Sequence, residues 1–153
     1  MVRLSDTPAS LRSILEQLEC PTYDNPAFVT GSPLSQRRVA IISTAGLQMR
    51  GDRPFAWGAS DYRIIPGEAD SADIVMSHVS TNFDRSGFQQ DINVALPLDR
   101  LRELADEGAI GSVADYHYSF MGATAPDDMA DAVADLAPIL QADGVDAILL
   151  API

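Results

Sequence analysis

Three stretches of the sequence place polar side chains at the end of an apolar run. They are Ser43-Thr44, Ser77-His78 and His117-Tyr118-Ser119, and they contain both histidines of the chain. Imidazole titrates near neutral pH, so it can transfer protons or bind a metal. A histidine at a strand end can equally be a packing residue, and both interpretations stay open for His78 and His117.

A long polar segment, residues 81–97, follows the second of these stretches. It shows no clear helical or strand periodicity, and we predict that it is a loop. Long loops inside a compact domain are often functional. Asn82, Asp84, Asp91 and Asn93 lie in this segment, where they could orient a histidine or bind a polar substrate.

The elements that must position these residues alternate between strands and helices. Apolar runs predict strands at 38–43, 62–65, 73–77, 112–116 and 145–150. Helical spacing of apolar residues predicts helices at 5–20, 98–107 and 124–142. The alternation favours an α/β fold with a mainly parallel sheet and flanking helices. Because parallel strands end at one edge of a sheet, the three polar stretches are predicted to meet there.

Composition and charge narrow the classes of function. The net charge is −12, without a basic patch that could neutralise phosphates, so neither nucleic acid nor a membrane is an expected partner. Cys20 is the single cysteine, which excludes an internal disulfide, and no signal segment is recognisable, so we expect a cytoplasmic protein. Residues 1–37 are interpreted as an N-terminal helix with an irregular arm, and residues 38–153 as one α/β domain.

The last predicted strand, residues 145–150, has the continuous apolar character of a strand that is buried on both faces. Ligands of open parallel sheets bind just outside the carboxyl ends of the strands. The sequence stops close to that position, so we expect the native fold to continue beyond Ile153. A complete domain that ends on a strand is the alternative.

Several ordered runs of residues carry a resemblance to a known family. They are residues 1–6 (MVRLSD), 43–46 (STAG), 61–66 (DYRIIP), 77–78 (SH), 82–85 (NFDR), 91–101 (DINVALPLDRL) and 117–122 (HYSFMG). Together they resemble the glycine/sarcosine/betaine/D-proline reductase selenoprotein B family, in particular its short members similar to D-proline reductase. The resemblance covers almost the whole chain.

The resemblance implies a redox residue outside this sequence. In that family the strand corresponding to residues 145–153 is followed by a selenocysteine or cysteine, with a further cysteine close by. Selenocysteine is encoded by UGA, which is usually read as a stop, and this would explain a chain that ends at Ile153. The implied reaction is reductive cleavage of a carbon–nitrogen bond alpha to a carboxyl group. A selenolate attacks the alpha carbon, and a dithiol restores the selenium centre.

We predict roles for individual residues on this basis. His78 and His117 line the substrate pocket as acid/base or carboxylate-binding groups, and Asp84 orients one of them. The predicted substrate-binding residues are Ser43, Thr44, Asn82, Asp91, Asn93 and Ser119. No metal or cofactor is expected in this chain, and without its redox residue the chain is expected to be inactive. The expected partners are a small amino-acid-like substrate, a dithiol reductant, and either a partner subunit carrying a pyruvoyl group or a second copy.

Two other functions stay open. His78, Asp84 and His117 could hold the metal of a hydrolase or lyase, because two imidazoles and a carboxylate suit several divalent ions. The chain could also be a non-catalytic α/β subunit that binds a small ligand or another polypeptide.

Overall fold

The computed structural model describes residues 3–17, 22–24, 26–80 and 85–153. The chain forms two compact units, Met1–Thr30 and Gly31–Ile153. The first unit contains a 3-10 turn at Leu4–Asp6 and helix α1 at Ala9–Glu16. Part of the predicted helix at 5–20 is thus confirmed, while Cys20 lies outside the described residues. None of the helices in the described part of the chain is long and apolar enough to span a membrane.

The second unit contains the sheet and its flanking helices. Its strands are β1 (Arg38–Ser43), β2 (Leu47–Met49), β3 (Arg63–Pro66), β4 (Ile74–Met76), β5 (Ser112–Val113), β6 (Tyr116–Ser119) and β7 (Ala147–Ala151). Its helices are α2 (Ser86–Gln90), α3 (Leu98–Asp106) and α4 (Ala130–Ala142). Short 3-10 turns at Leu34–Gln36, Ser71–Asp73, Ile92–Val94 and Pro126–Met129 connect them.

Strand β1 is the centre of the main sheet. It pairs in parallel with β7 on one side and with β5 and β6 on the other, while β3 pairs antiparallel with β6. Ala40 and Ile41 of β1 are fully buried, as its continuous apolar run predicts. The predicted α/β class with a mainly parallel sheet and flanking helices is therefore confirmed.

Each face of the sheet buries its own apolar cluster, because successive side chains of a strand point to opposite faces. On one face, Ile41 and Ile65 pack with Leu98 and Leu101 of α3. On the other face, Ala40, Tyr118 and Phe120 pack with Leu136 and Leu140 of α4. Burying one such leucine or isoleucine side chain contributes roughly 1.5–3 kcal/mol, so the packing of both helices stabilises the sheet between them.

One strand was not predicted from the sequence, and one predicted loop is wrong. Strand β2, which forms an antiparallel ribbon with β4, was not expected. It is three residues long, too short to show a period. The segment 81–97, predicted to be a loop, contains α2 and the turn at Ile92–Val94. Both pieces are shorter than two helical turns, so neither repeats an apolar face often enough to be recognised.

The prediction that residues 145–150 form a strand is confirmed, but the expectation that this strand is buried on both faces is wrong. Ile148, Leu149 and Leu150 are 46%, 40% and 67% exposed. Among the described residues β7 pairs only with β1, and α4 packs over β1 and β6 rather than over the whole of β7. In the described part of the chain β7 therefore lies at the margin of the sheet, with apolar side chains exposed.

Candidate active site

The turn after β1 brings two of the polar stretches together at the carboxyl edge of the sheet. Gly46 accepts a hydrogen bond from the Ser77 N–H (2.9 Å) and donates one to the Phe120 carbonyl (2.9 Å). It has φ +64°, and a Cβ on it would lie 3.0 Å from the His78 Cα. Glycine is thus needed here both for the left-handed conformation and for the close approach of the chain. The Thr44–Gly46 turn and the Ser77-His78 turn therefore meet, although the strand before Ser77, β4, lies in the antiparallel ribbon with β2 and not in the parallel sheet from which the meeting was predicted.

Thr44 contacts the chain that leaves β7. Its backbone N–H donates to the Ala151 carbonyl (3.1 Å). Its hydroxyl accepts from the Ile153 N–H (2.8 Å) and donates to the Ile153 carbonyl (3.1 Å). The end of β7 is consequently fixed beside the same turn that contacts His78.

His78 is 6% exposed and lies within this edge. Its Nδ1 accepts a hydrogen bond from the Ser80 N–H (3.1 Å), and Arg85 donates to the His78 carbonyl (2.8 Å) and to the Ser80 carbonyl. Burial, and secondly the charge of Arg85, lower the pKa of His78. The neutral ring therefore predominates near neutral pH and, with Nδ1 accepting, carries its hydrogen on Nε2.

Two side chains tie the loop between β2 and β3 to this edge. The Ser77 hydroxyl accepts from the Phe55 N–H (2.8 Å) and donates to Gln48 (2.5 Å). The Thr124 hydroxyl donates to the Ala59 carbonyl (2.8 Å). The hydrogen bonds of the Ser77 hydroxyl therefore hold the loop in place, and His78 is the other polar side chain of this stretch.

His117, by contrast, lies inside the sheet rather than at its edge. It is fully buried, and its Nδ1 accepts a hydrogen bond from the Ile41 N–H of β1 (3.0 Å). Strands β5 and β6 are interrupted opposite Ile41, so no backbone carbonyl of either strand accepts from the Ile41 N–H. The imidazole of His117 accepts this hydrogen bond instead. Nε2 of His117 has no hydrogen-bond partner among the described residues.

The environment of His117 favours the neutral ring. Its pKa is lowered from 6.5 to about 4, chiefly by burial and then by the positive charge of Arg102. Asp143 opposes this shift, and Arg38 adds to it. The His117 ring accepts at Nδ1 and is neutral throughout the physiological range. These properties favour the second interpretation from the sequence, in which His117 is a packing residue.

The two serines that were predicted to bind substrate, Ser43 and Ser119, are also engaged with the backbone. Ser43 and Ser119 are fully buried. The Ser43 hydroxyl accepts from the Ala45 N–H (3.2 Å), and the Ser119 hydroxyl accepts from the Leu47 N–H (2.8 Å). Each hydroxyl thus satisfies a backbone donor where the ribbon joins the sheet.

Asp91 and Asn93 form a local network before α3. The Asp91 carboxylate accepts from the Asn93 backbone and side-chain N–H groups, both at 2.9 Å. The Asn93 side chain then donates to Asp99 (3.0 Å) and accepts from its backbone N–H (3.0 Å). The hydrogen bonds from Asn93 lower the pKa values of both Asp91 and Asp99. Both carboxylates are therefore ionised at neutral pH.

A cleft of about 630 Å³ lies beside this network. Its lining includes Met76, Arg85, Phe88, Asp91 and Asn93. The cleft thus carries one arginine and carboxylates together with apolar surface. Arg85 was not predicted as a site residue, because a single arginine in a turn gives no spacing pattern.

Two predicted residues, Asn82 and Asp84, lie outside the residues that the structure describes. Within residues 3–17, 22–24, 26–80 and 85–153, no group of three histidine, cysteine, aspartate or glutamate side chains is placed to hold a metal ion.

Comparisons with known proteins agree on one family. A family described as glycine/sarcosine/betaine reductase selenoprotein B matches residues 26–152. The D-proline reductase subunit gamma of Acetoanaerobium sticklandii is 34% identical over 120 residues, which is 76% of this chain and 49% of that subunit. The glycine reductase complex component B subunit gamma of Carboxydothermus hydrogenoformans is 32% identical over 143 residues, 88% of this chain and 32% of that subunit.

A third relative is the betaine reductase complex component B subunit beta of Peptoclostridium acidaminophilum, 28% identical over 145 residues. This alignment covers 88% of the chain and 32% of that subunit. The chain therefore spans from about a third to about half the length of these relatives. No solved structure matches it.

Proposed function

Because the chain belongs to the glycine/sarcosine/betaine reductase selenoprotein B family, we propose that it is part of a reductase that cleaves a carbon–nitrogen bond alpha to a carboxyl group. In the overall reaction the C–N bond breaks, and C–H and N–H bonds form. Two electrons and two protons come from a dithiol, which becomes a disulfide. The attacking group is a selenocysteine or cysteine that follows β7 in the complete protein.

The observation that supports this most is the position of the chain that leaves β7. Ile153 is hydrogen-bonded to Thr44, and the turn that begins at Thr44 contacts the His78 backbone through Gly46. A nucleophile that follows this strand would emerge at the carboxyl edge of the sheet, where ligands of α/β folds bind.

We assign the acid/base role to His78. Nε2 of His78 is buried in this chain, so the role requires that the departing nitrogen reach it when the substrate binds. The neutral ring then donates its Nε2 hydrogen to that nitrogen and regains the proton afterwards. His117, which the sequence assigned to the same pocket, acts in this proposal as a structural acceptor for β1. The predicted roles of Asn82 and Asp84 stay open for experiment.

The cleft beside α2 is the proposed place for the charged end of the substrate; His78 is not part of its lining, but Arg85 lines the cleft and donates to the His78 carbonyl, so the cleft opens next to that residue. A zwitterionic amino acid needs a cation for its carboxylate and an anion for its ammonium group, and Arg85 and Asp91 supply these charges at the lining. Capture of the substrate amine as a Schiff base needs a ketone or aldehyde, which the standard side chains do not carry. A pyruvoyl group on a partner subunit would supply that electrophile.

The proposal is tested with the full-length protein from its native source. D-Proline is incubated with the protein and dithiothreitol, with any partner subunit retained during purification, and ring opening to 5-aminopentanoate is followed by mass spectrometry. We expect dithiol-dependent product that disappears after alkylation with iodoacetamide. Product formation that resists alkylation, or that requires an added divalent metal, would overturn the proposal and favour the metal-dependent alternative.

A further inference from the structure

The pairing between β1 and β7 continues past the end of β1 through a side chain. The last backbone pair in the ladder joins Ser43 and Ala151. Beyond it β1 turns away, so its backbone can no longer satisfy the next groups of β7. The Thr44 hydroxyl does so instead, by accepting from the Ile153 N–H (2.8 Å) and donating to the Ile153 carbonyl (3.1 Å). A hydroxyl has one donor and two acceptor positions, so it can serve both groups at once.

Gly122 provides the space for this contact. Its N–H donates to the Thr44 carbonyl (2.8 Å). A Cβ on Gly122 would lie 2.3 Å from the Ile153 carbonyl oxygen and 2.9 Å from the Thr44 carbonyl oxygen. Both are backbone atoms, so a side chain at position 122 would require the main chain to shift. The absence of a side chain at position 122 is therefore required for the chain to pass at this distance.

We infer that Thr44 and Gly122 form a clamp that fixes the direction of the main chain as it leaves β7. This inference rests on the proposed function, in which the redox residue follows that strand. The clamp holds a short segment that has lost its strand partner, so it limits the positions that a following selenolate or thiolate can take. Thr44 thereby acts as a positioning residue rather than as the substrate-binding residue that the sequence predicted.

The test compares three forms of the full-length reductase: wild type, Thr44→Val and Thr44→Ser. Valine has nearly the shape of threonine without the hydroxyl, and serine keeps the hydroxyl. We expect Thr44→Val to lower kcat for D-proline by roughly tenfold to a hundredfold, with KM changed less than about threefold, because misplacement of reacting groups affects the chemical step. Thr44→Ser should recover most of this loss, which a purely steric role of the side chain would not explain.

A second measurement tests the clamp even if the variants lack activity. The Ile153 N–H donates to the Thr44 hydroxyl, so its hydrogen exchange in Thr44→Val should be at least about tenfold faster than in wild type. The amides of Val39–Ser43 should exchange at unchanged rates. Gly122→Ala should give the same local acceleration, because the added methyl displaces the Ile153 carbonyl.

The outcomes separate the clamp from the reductase function. An inactive wild-type protein whose Ile153 amide still depends on Thr44 would refute the function and leave the clamp in place. An active wild type with an equally active Thr44→Val variant, or an unchanged Ile153 exchange rate, would overturn the clamp.

Discussion

The interior of the sheet and its carboxyl edge use the same side-chain types for different purposes. In the interior, His117 and Ser119 are fully buried, and each accepts a hydrogen bond from a backbone N–H. At the edge, His78 and Thr44 belong to turns that meet where β7 ends. Polar groups in the interior complete the backbone hydrogen bonding of the sheet, whereas those at the edge surround the place where the proposed chemistry occurs.

This difference shows that residue type and neighbouring sequence do not by themselves define the role of a histidine. Both rings accept at Nδ1, and burial lowers both pKa values. What distinguishes them is the element that carries them: His117 lies on a strand and accepts from the neighbouring strand, whereas His78 lies on a turn and accepts from the Ser80 N–H two residues further along the chain. The following predictions test this contrast from the largest expected effect to the smallest.

The largest effect is expected from pH. The pKa of His117 is about 4 in the folded protein against 6.5 for the exposed ring. The unfolded state therefore binds more protons between these values, so this contribution to stability is complete above pH 6.5 and is lost as the pH falls towards 4. The loss amounts to about 3 kcal/mol in the free energy of unfolding. Urea unfolding at pH 7 and pH 4 in wild type and His117→Asn measures it.

Asparagine is the matched control, because its side-chain oxygen can replace Nδ1 as the acceptor and does not titrate in this range. His117→Asn should lose clearly less stability than wild type over the same interval. Equal losses in the two proteins would show that His117 is not the group responsible.

Removal of the acceptor in the interior should have the next largest effect. His117→Leu leaves the buried Ile41 N–H without a partner, which should lower the free energy of unfolding at pH 7 by about 2 kcal/mol. Chemical denaturation measures the change. His117→Asn should cost about half as much. If leucine proved as stable as wild type, the structural role assigned to His117 would be wrong.

Ser119 gives a smaller effect of the same kind. Ser119→Ala removes the acceptor of the Leu47 N–H, and we expect a loss of about 1 kcal/mol in the free energy of unfolding. Ser71 is exposed and serves as the control. Ser71→Ala should change the free energy of unfolding by less than about 0.5 kcal/mol. Thermal or chemical denaturation of the two variants side by side tests whether burial decides the difference.

The smallest effect on stability is expected for His78→Asn. The asparagine oxygen can still accept from the Ser80 N–H, so the free energy of unfolding should change by less than about 1 kcal/mol. In the full-length reductase, however, kcat should fall by roughly a hundredfold, as for removal of a general acid. A variant that keeps full activity would contradict the proposed role of His78. The two histidines would then differ only in how much they contribute to the free energy of unfolding.

Much of the fold could be predicted from the sequence because its signals are local. The apolar run of β1 and the apolar spacing of α3 and α4 each extend over enough residues to show a period. The short pieces β2 and α2 could not be recognised on this basis. The exposure of β7 depends on which strands lie beside it, and a single apolar run carries no information about its neighbours.

The sequence could predict parts of the site only where a short run of consecutive polar residues follows a recognisable strand. The structure brings Thr44–Gly46 and Ser77-His78 together, but not for the predicted reason, because β4 pairs antiparallel with β2 instead of belonging to the parallel sheet. The position of His117 depends on the interruption between β5 and β6, which replaces one backbone partner of β1 by an imidazole. The contacts of Thr44 with Ile153 and Gly122 join residues far apart in sequence, and no pattern within one segment could indicate them.

The central claim is that a selenocysteine or cysteine following β7 is the nucleophile of a reductase. The most direct measurement is the dithiol-dependent reduction of D-proline by the full-length protein and by a variant in which the first selenocysteine or cysteine after β7 is replaced by serine. We predict that the replacement lowers kcat by roughly a thousandfold or more, while the free energy of unfolding stays the same. A serine variant that retains wild-type turnover would contradict the claim.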